Sequence, residues 1–210
     1  MTTTPDTPQP AASARAIERI KDDHRALARV MGAMRILVAQ FREGSHAPDI
    51  ALFESMLRYV ENVPDRLHHP REDQTLFPAV RAGDPAAAAL IASLEREHAR
   101  AAPMLAQLRR ALSAFRAGGA NAINPLGEAL DEFADFYWAH MRAEEERLLP
   151  AALACLRAED WERVERAFCD SRDPLFDAPC ATEFANLFRF IATHAPRRAA
   201  TLFPATPRPD

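Results

Sequence analysis

Leu67-His68-His69-Pro70-Arg71-Glu72-Asp73-Gln74-Thr75-Leu76-Phe77-Pro78 is the stretch from which the fold can be read. Two adjacent histidines are followed one turn later by carboxylates, in an apolar setting that ends in Phe-Pro. On a helix His68 and Glu72 stand at i and i+4, so both side chains leave one face. An imidazole and a carboxylate on one face of a buried helix make half of a metal site. The stretch has an echo in His140-Met141-Arg142-Ala143-Glu144-Glu145-Glu146-Arg147-Leu148-Leu149-Pro150. His140 to Glu144 repeats the step from His68 to Glu72, Glu144 to Pro150 repeats that from Glu72 to Pro78, and the offset is 140 − 68 = 72 residues. His24 and His98 nearly keep it, at 98 − 24 = 74. The chain thus reads as two copies of a helical hairpin, each with one lone histidine and one His-x-x-x-Glu set.

Composition agrees with a helical reading. The 210 residues are enough for one domain with a substantial core, 48% are hydrophobic, and only six glycines are present. A net charge of −4 and a pI near 6.0 speak against general nucleic-acid binding, which usually shows a basic stripe. Cys155, Cys169 and Cys180 form no disulfide framework and are expected to be reduced thiols in a cytoplasmic protein. No apolar run is long enough for a membrane span, and the polar N-terminus does not read as a signal peptide.

Residues 1–12 are too polar and proline-rich to bury a core and are expected to be disordered. Residues 13–155 should form the bundle. Ile17, Ile20, His24, Leu27, Met31, Met34 and Val38 recur at helical spacing, predicting a first helix from about Ala14 to Arg42 with Ser13 as its cap. A second should run from Pro48-Asp49 to about Val80, kinked at Pro64 and Pro70, and end near Gly83. A third should follow Asp84-Pro85 and close at Gly118-Gly119, bent at Pro103; a fourth should follow Asn124-Pro125 and reach Leu149. Residues 156–195 read as a helical extension: a short amphipathic helix with Trp161, Val164 and Phe168, a turn at Asp173-Pro174-Leu175-Phe176, and a last helix from about Thr182 to His194. The sequence leaves open whether this extension is a lid on the bundle or a homodimer contact. Residues 196–210 read as a loose tail.

Four long helices with short connections most simply make an all-α, up-down-up-down antiparallel four-helix bundle. His24, His68, His98 and His140 then meet at one level. Four or five imidazoles and two carboxylates are too many for a single structural zinc. They suit two ions bridged by the carboxylates, with iron the usual choice and manganese or zinc as alternatives.

These residues resemble the hemerythrin family, specifically the bacterial hemerythrin-like HHE cation-binding domains. The resemblance rests on His24, the segment from His68 to Asp73 with Leu76-Phe77-Pro78, Glu97-His98, and His140 to Glu144 with Leu148-Leu149-Pro150, and it spans about residues 15–155. It implies a di-iron centre in which His24, His68, His98 and His140 are terminal ligands and Glu72 and Glu144 bridge. The chain departs from the oxygen-carrier pattern twice. Leu94 and Ala102 stand where a second histidine of the third helix would be, and Glu144 follows His140 by four residues, so that Glu145 would give the longer spacing. His69 is the candidate to replace the missing imidazole on the second iron.

The expected function is binding or sensing of O2, NO, peroxide or iron itself. The alternatives are a di-iron oxidase, peroxidase or nitric-oxide-handling enzyme, and a bundle that uses metal only as a staple. Tyr137 and Trp138 read first as packing residues, with gating or electron relay as the other reading. His46 and His194 should not bear on metal.

Overall fold

The computed structural model describes residues 9–44 and 49–169, without the side chains of residues 9, 10, 120 and 169. The expected turn at 173–176, the last helix, the tail, Cys180, His46 and His194 lie outside the described residues.

Every described element is helical. Helix α1 spans Gln9–Glu43. The second rod is segmented: α2 (Ile50–Asn62), a π turn (Pro64–His68), the short α3 (His69–Arg71), a π turn (Glu72–Leu76) and α4 (Phe77–Gly83). A 3-10 turn at Pro85–Ala87 leads into α5 (Ala88–Gly118), and another at Gly119–Ala122 leads into α6 (Ile123–Ala143). A π turn (Glu144–Leu148) joins α6 to α7 (Leu149–Cys155), and α8 covers Ala158–Cys169.

The stops follow the expected chemistry. The Asp49 carboxylate accepts from Leu52 N at 2.9 Å and caps α2, and Asp84 does the same for Ala86 N at 3.0 Å. Gly119 ends α5 at φ +60°, a conformation that costs glycine nothing. Two boundaries differ. Helix α1 begins at Gln9, inside the stretch expected to lack structure, and Ser13 is buried within it rather than capping it. The continuous second helix, expected to kink at Pro64 and Pro70, widens into π turns instead.

Those π turns have an identifiable cause. A proline inside an α-helix lacks the donor for the carbonyl four residues back, and its ring clashes with that carbonyl. Widening the turn by one residue relieves both. The donor just before each proline reaches one residue further: His69 N to Pro64 O before Pro70, Phe77 N to Glu72 O before Pro78, and Leu149 N to Glu144 O before Pro150. π turns are rare and gather at functional sites, and here they end or begin at His68, Glu72 and Glu144.

The apolar residues form two buried clusters. One holds Leu27–Val38, Leu52–Val60, Ala101–Phe115 and Ile123–Met141 residues. The other holds residues of 12–20, 76–80, 87–94, 148–156 and 161–168. Along α1 the second cluster comes first, then His24, then the first cluster. Along the next rod the order reverses around His68–Glu72, and it reverses again on α5 and on α6–α7. That reversal is what a bundle of alternating direction requires, and it leaves a polar layer between two apolar ones. Helix α8 lies along α1 and buries Trp161, Val164 and Phe168 in the second cluster. No described helix is long and apolar enough to cross a membrane.

A candidate metal centre between two apolar layers

The polar layer holds seven buried or nearly buried groups: His24, His68, His69, Glu72, His98, His140 and Glu144. The structure brings together all seven residues that the sequence singles out. Their ligand atoms fall into overlapping sets whose members lie within 4.8 Å of one another: His24, His68, Glu72 and Glu144; Glu72, His98, His140 and Glu144; and His69, His98 and His140. Glu72 and Glu144 are common to the first two sets.

The spacings suit coordination. His24 Nε2 and His68 Nε2 are 3.2 Å apart, and so are His98 Nε2 and His140 Nε2. Two nitrogens each about 2.1 Å from one ion, at octahedral or tetrahedral angles, lie about 3.0–3.4 Å apart. Glu144 Oε2 is 3.2 Å from His24 Nε2, and its Oε1 is 3.1 Å from His140 Nε2. Glu72 Oε1 is 3.3 Å from His68 Nε2, and its Oε2 is 3.6 Å from His98 Nε2. Each carboxylate therefore turns one oxygen to each histidine pair.

Glu72 and Glu144 are 0% and 1% exposed, and none of their four oxygens makes a hydrogen bond among the described residues. Their nearest polar neighbours are the Nε2 atoms of His24, His68, His98 and His140, at 3.1–3.6 Å, and two buried carboxylates side by side need positive charge there. A pair of cations between the histidine pairs would satisfy all four oxygens, so the donor set fits the metal centre that the resemblance implies.

Outside the rings, four further carboxylates fix their orientation. His24 Nδ1 donates to Glu145 Oε1 at 2.8 Å, and His98 Nδ1 to Asp73 Oδ1 at 2.9 Å. His140 Nδ1 donates to Glu97 Oε2 at 2.8 Å, and His68 Nδ1 to Asp23 Oδ2 at 3.2 Å. A proton held on Nδ1 leaves the Nε2 lone pair facing inward, as ligation requires. Each acid is the chain neighbour of a proposed ligand on a different rod: Asp23 of His24, Asp73 of Glu72, Glu97 of His98, Glu145 of Glu144. The sequence reading did not assign Asp23, Asp73 and Glu97 this place, and weighed Glu145 only as an inner ligand. The signal was present, since 97 − 23 = 74 and 145 − 73 = 72 repeat the histidine offsets.

The same contacts set the charge state of the metal-free rings. Burial opposes their protonation, but Glu72 and Asp23 lift His68 to about 10, and Glu144 and Glu97 lift His140 to about 10. Burial likewise opposes His98, yet Asp73 and Glu144 raise it to about 9. Burial would raise Glu144, but the charge of His140 and the rings of His140, His24 and His98 hold it well below the usual carboxylate range.

His69 behaves differently. Its ring stacks on His98 with centroids 4.0 Å apart, and its Nδ1 lies 3.6 Å from Asp65 Oδ1. Burial, together with the positive rings around it, drives it well below the ordinary histidine value, so it is neutral and free to donate a lone pair. Asp65 also accepts from the Tyr137 hydroxyl at 2.9 Å, and burial pushes its carboxyl up to about 6. The Phe168 ring of α8 stands edge-on to His68, with centroids 5.5 Å apart. A cavity of about 10 Å³ lies among the donors of both pairs, lined by His24, His68, His69, His140 and Glu144 together with Tyr137 and Met141.

A family model described as the hemerythrin HHE cation binding domain matches residues 15–152. No curated protein and no solved structure matches the chain.

Proposed function

This chain belongs to the hemerythrin family of HHE cation-binding domains, and from that membership we propose that it holds two iron ions and binds one very small molecule beside them. The observation that carries this reading is the pair of donor sets sharing Glu72 and Glu144. His24 and His68 serve one ion, and His98, His140 and His69 the other. Glu72 and Glu144 bridge. Iron supplies a change of oxidation state and an exchangeable coordination position. Manganese or zinc would accept the same donors, and metal analysis of the purified protein distinguishes them.

The two halves are unequal. The His98 side has three imidazoles and the two carboxylates; the His24 side has two imidazoles and the same carboxylates. Room for an outside ligand therefore belongs at the His24 side, which has the fewer imidazoles. Only about 10 Å³ is free among the donors, so little besides the ions and a molecule of two or so atoms fits there. This favours O2, NO or peroxide over any organic substrate, and it ranks binding or sensing above substrate oxidation. Tyr137 and Asp65 support a second reading, turnover of peroxide, because a phenol that lines the cavity and donates to a half-buried acid can hand on protons.

Rapid mixing of the reduced, iron-loaded protein with O2, NO and peroxide separates the readings. Binding gives a persistent spectral change of fixed stoichiometry, and an enzyme consumes reagent continuously. If no reagent changes the spectrum, neither reading stands. Glu72→Ala and His140→Ala are each expected to lose at least one ion per chain.

A further inference from the structure

The repeat that pairs His68 with His140 also pairs their successors, since 141 − 69 = 72. In the first copy that successor is His69, a donor. In the second it is Met141, an apolar residue at the edge of the first buried cluster. Met141 is 7% exposed and lines the inner cavity beside His24. It also lines an outer cleft of about 300 Å³, together with His24, Arg142, Glu145 and Glu146. His24 and Met141 are the two residues common to both spaces.

These two residues line both spaces, and they differ in how they are held. The His24 ring is held at Nδ1 by Glu145 and faces Glu144 through Nε2. Met141 is an unbranched thioether with three rotatable bonds, the side chain best able to swing aside and return without polar cost. We propose that Met141 is the gate through which a small ligand reaches the centre, and that methionine at this position, where the other repeat has histidine, keeps the His24 side open. This rests on the metal centre proposed above.

The test uses the full-length protein loaded with iron(II) and nitric oxide as the probe, after metal content has been measured. Met141→Ala should speed nitric oxide association, and Met141→Phe should slow it, each by about tenfold, a barrier change of about 1.4 kcal/mol, with two ions retained in both. Met141→Leu preserves volume but stiffens the side chain, and should slow association less than Met141→Phe. Met141→His, assembled with cobalt(II), should shift the d–d spectrum of one ion toward higher coordination and abolish nitric oxide binding in the iron form. Equal association rates in wild type, Met141→Ala and Met141→Phe, with two ions in each, would overturn the gate while leaving the metal centre intact. A wild-type protein that takes up no metal would overturn the centre itself, and the gate with it.

Discussion

At the scale of single residues, the site is a balance between buried acids and the cations that answer them. In the metal-free protein that answer is imidazolium. His68 and His140 are lifted to about 10 and His98 to about 9, against 6.5 unperturbed. Their folded values exceed the unfolded one, so they stabilise the metal-free fold fully below about pH 6.5, and that contribution is lost as pH rises through about 9–10. Thermal melts in chelator should therefore show midpoints falling between pH 7 and pH 10. Because ligation needs neutral rings, loading at pH 7 should release protons from His68, His98 and His140, and from His24, where burial opposes protonation but Glu144 and Glu145 raise the ring, readable with an indicator dye. A flat melting profile and no proton release would mean that the rings are already neutral. Asp23 gives a more local expectation. It orients His68 alone among the rings, so Asp23→Asn should weaken one ion by about 10–100-fold and leave the other at wild-type affinity. The inner residues were legible because histidine and glutamate at i and i+4, repeated 72 residues on, make a pattern that solvated helix faces and ordinary cores have no reason to produce twice. The outer acids were not, because a lone Asp or Glu beside a ligand looks like any solvated helix residue until a ring from another rod is set against it.

At the scale of elements, periodicity gave the rods and proline gave their interruptions. The apolar stripes of α1, α5 and α6 are regular enough to be read directly. The π turns are not, since a proline in a helical pattern can kink, end or widen it, and only packing on both sides chooses. Here His68–Glu72 must face the centre while Leu76, Phe77 and Val80 face the second cluster, and one extra residue per turn reconciles the two. Helix α8 belongs to that second cluster. Trp161→Ala should cost about 3–5 kcal/mol in denaturant unfolding, as the loss of a large buried ring does. Metal content of the folded fraction should not change, because Trp161 belongs to the second apolar cluster, whereas Phe168 is the α8 residue that meets a donor, His68. Loss of metal with unchanged stability would mean that Trp161 acts on the centre rather than on the apolar layer.

At the scale of the molecule, a bundle with an apolar layer above and below a layer of seven ionisable groups is a way of holding charge away from water. Neither apolar layer needs the metal in order to form, whereas the polar layer is incomplete without it. Removal of metal should therefore lower the melting temperature without abolishing helical structure, and reloading should raise it again, further at higher free metal. The claim beneath all of this is that two ions share Glu72 and Glu144. Anaerobic titration of the metal-free protein with cobalt(II), followed by optical absorption and magnetic susceptibility, addresses that sharing. Uptake should end at two ions per chain, magnetically coupled to each other. An end point of one ion, or two ions whose spins behave independently, would contradict it.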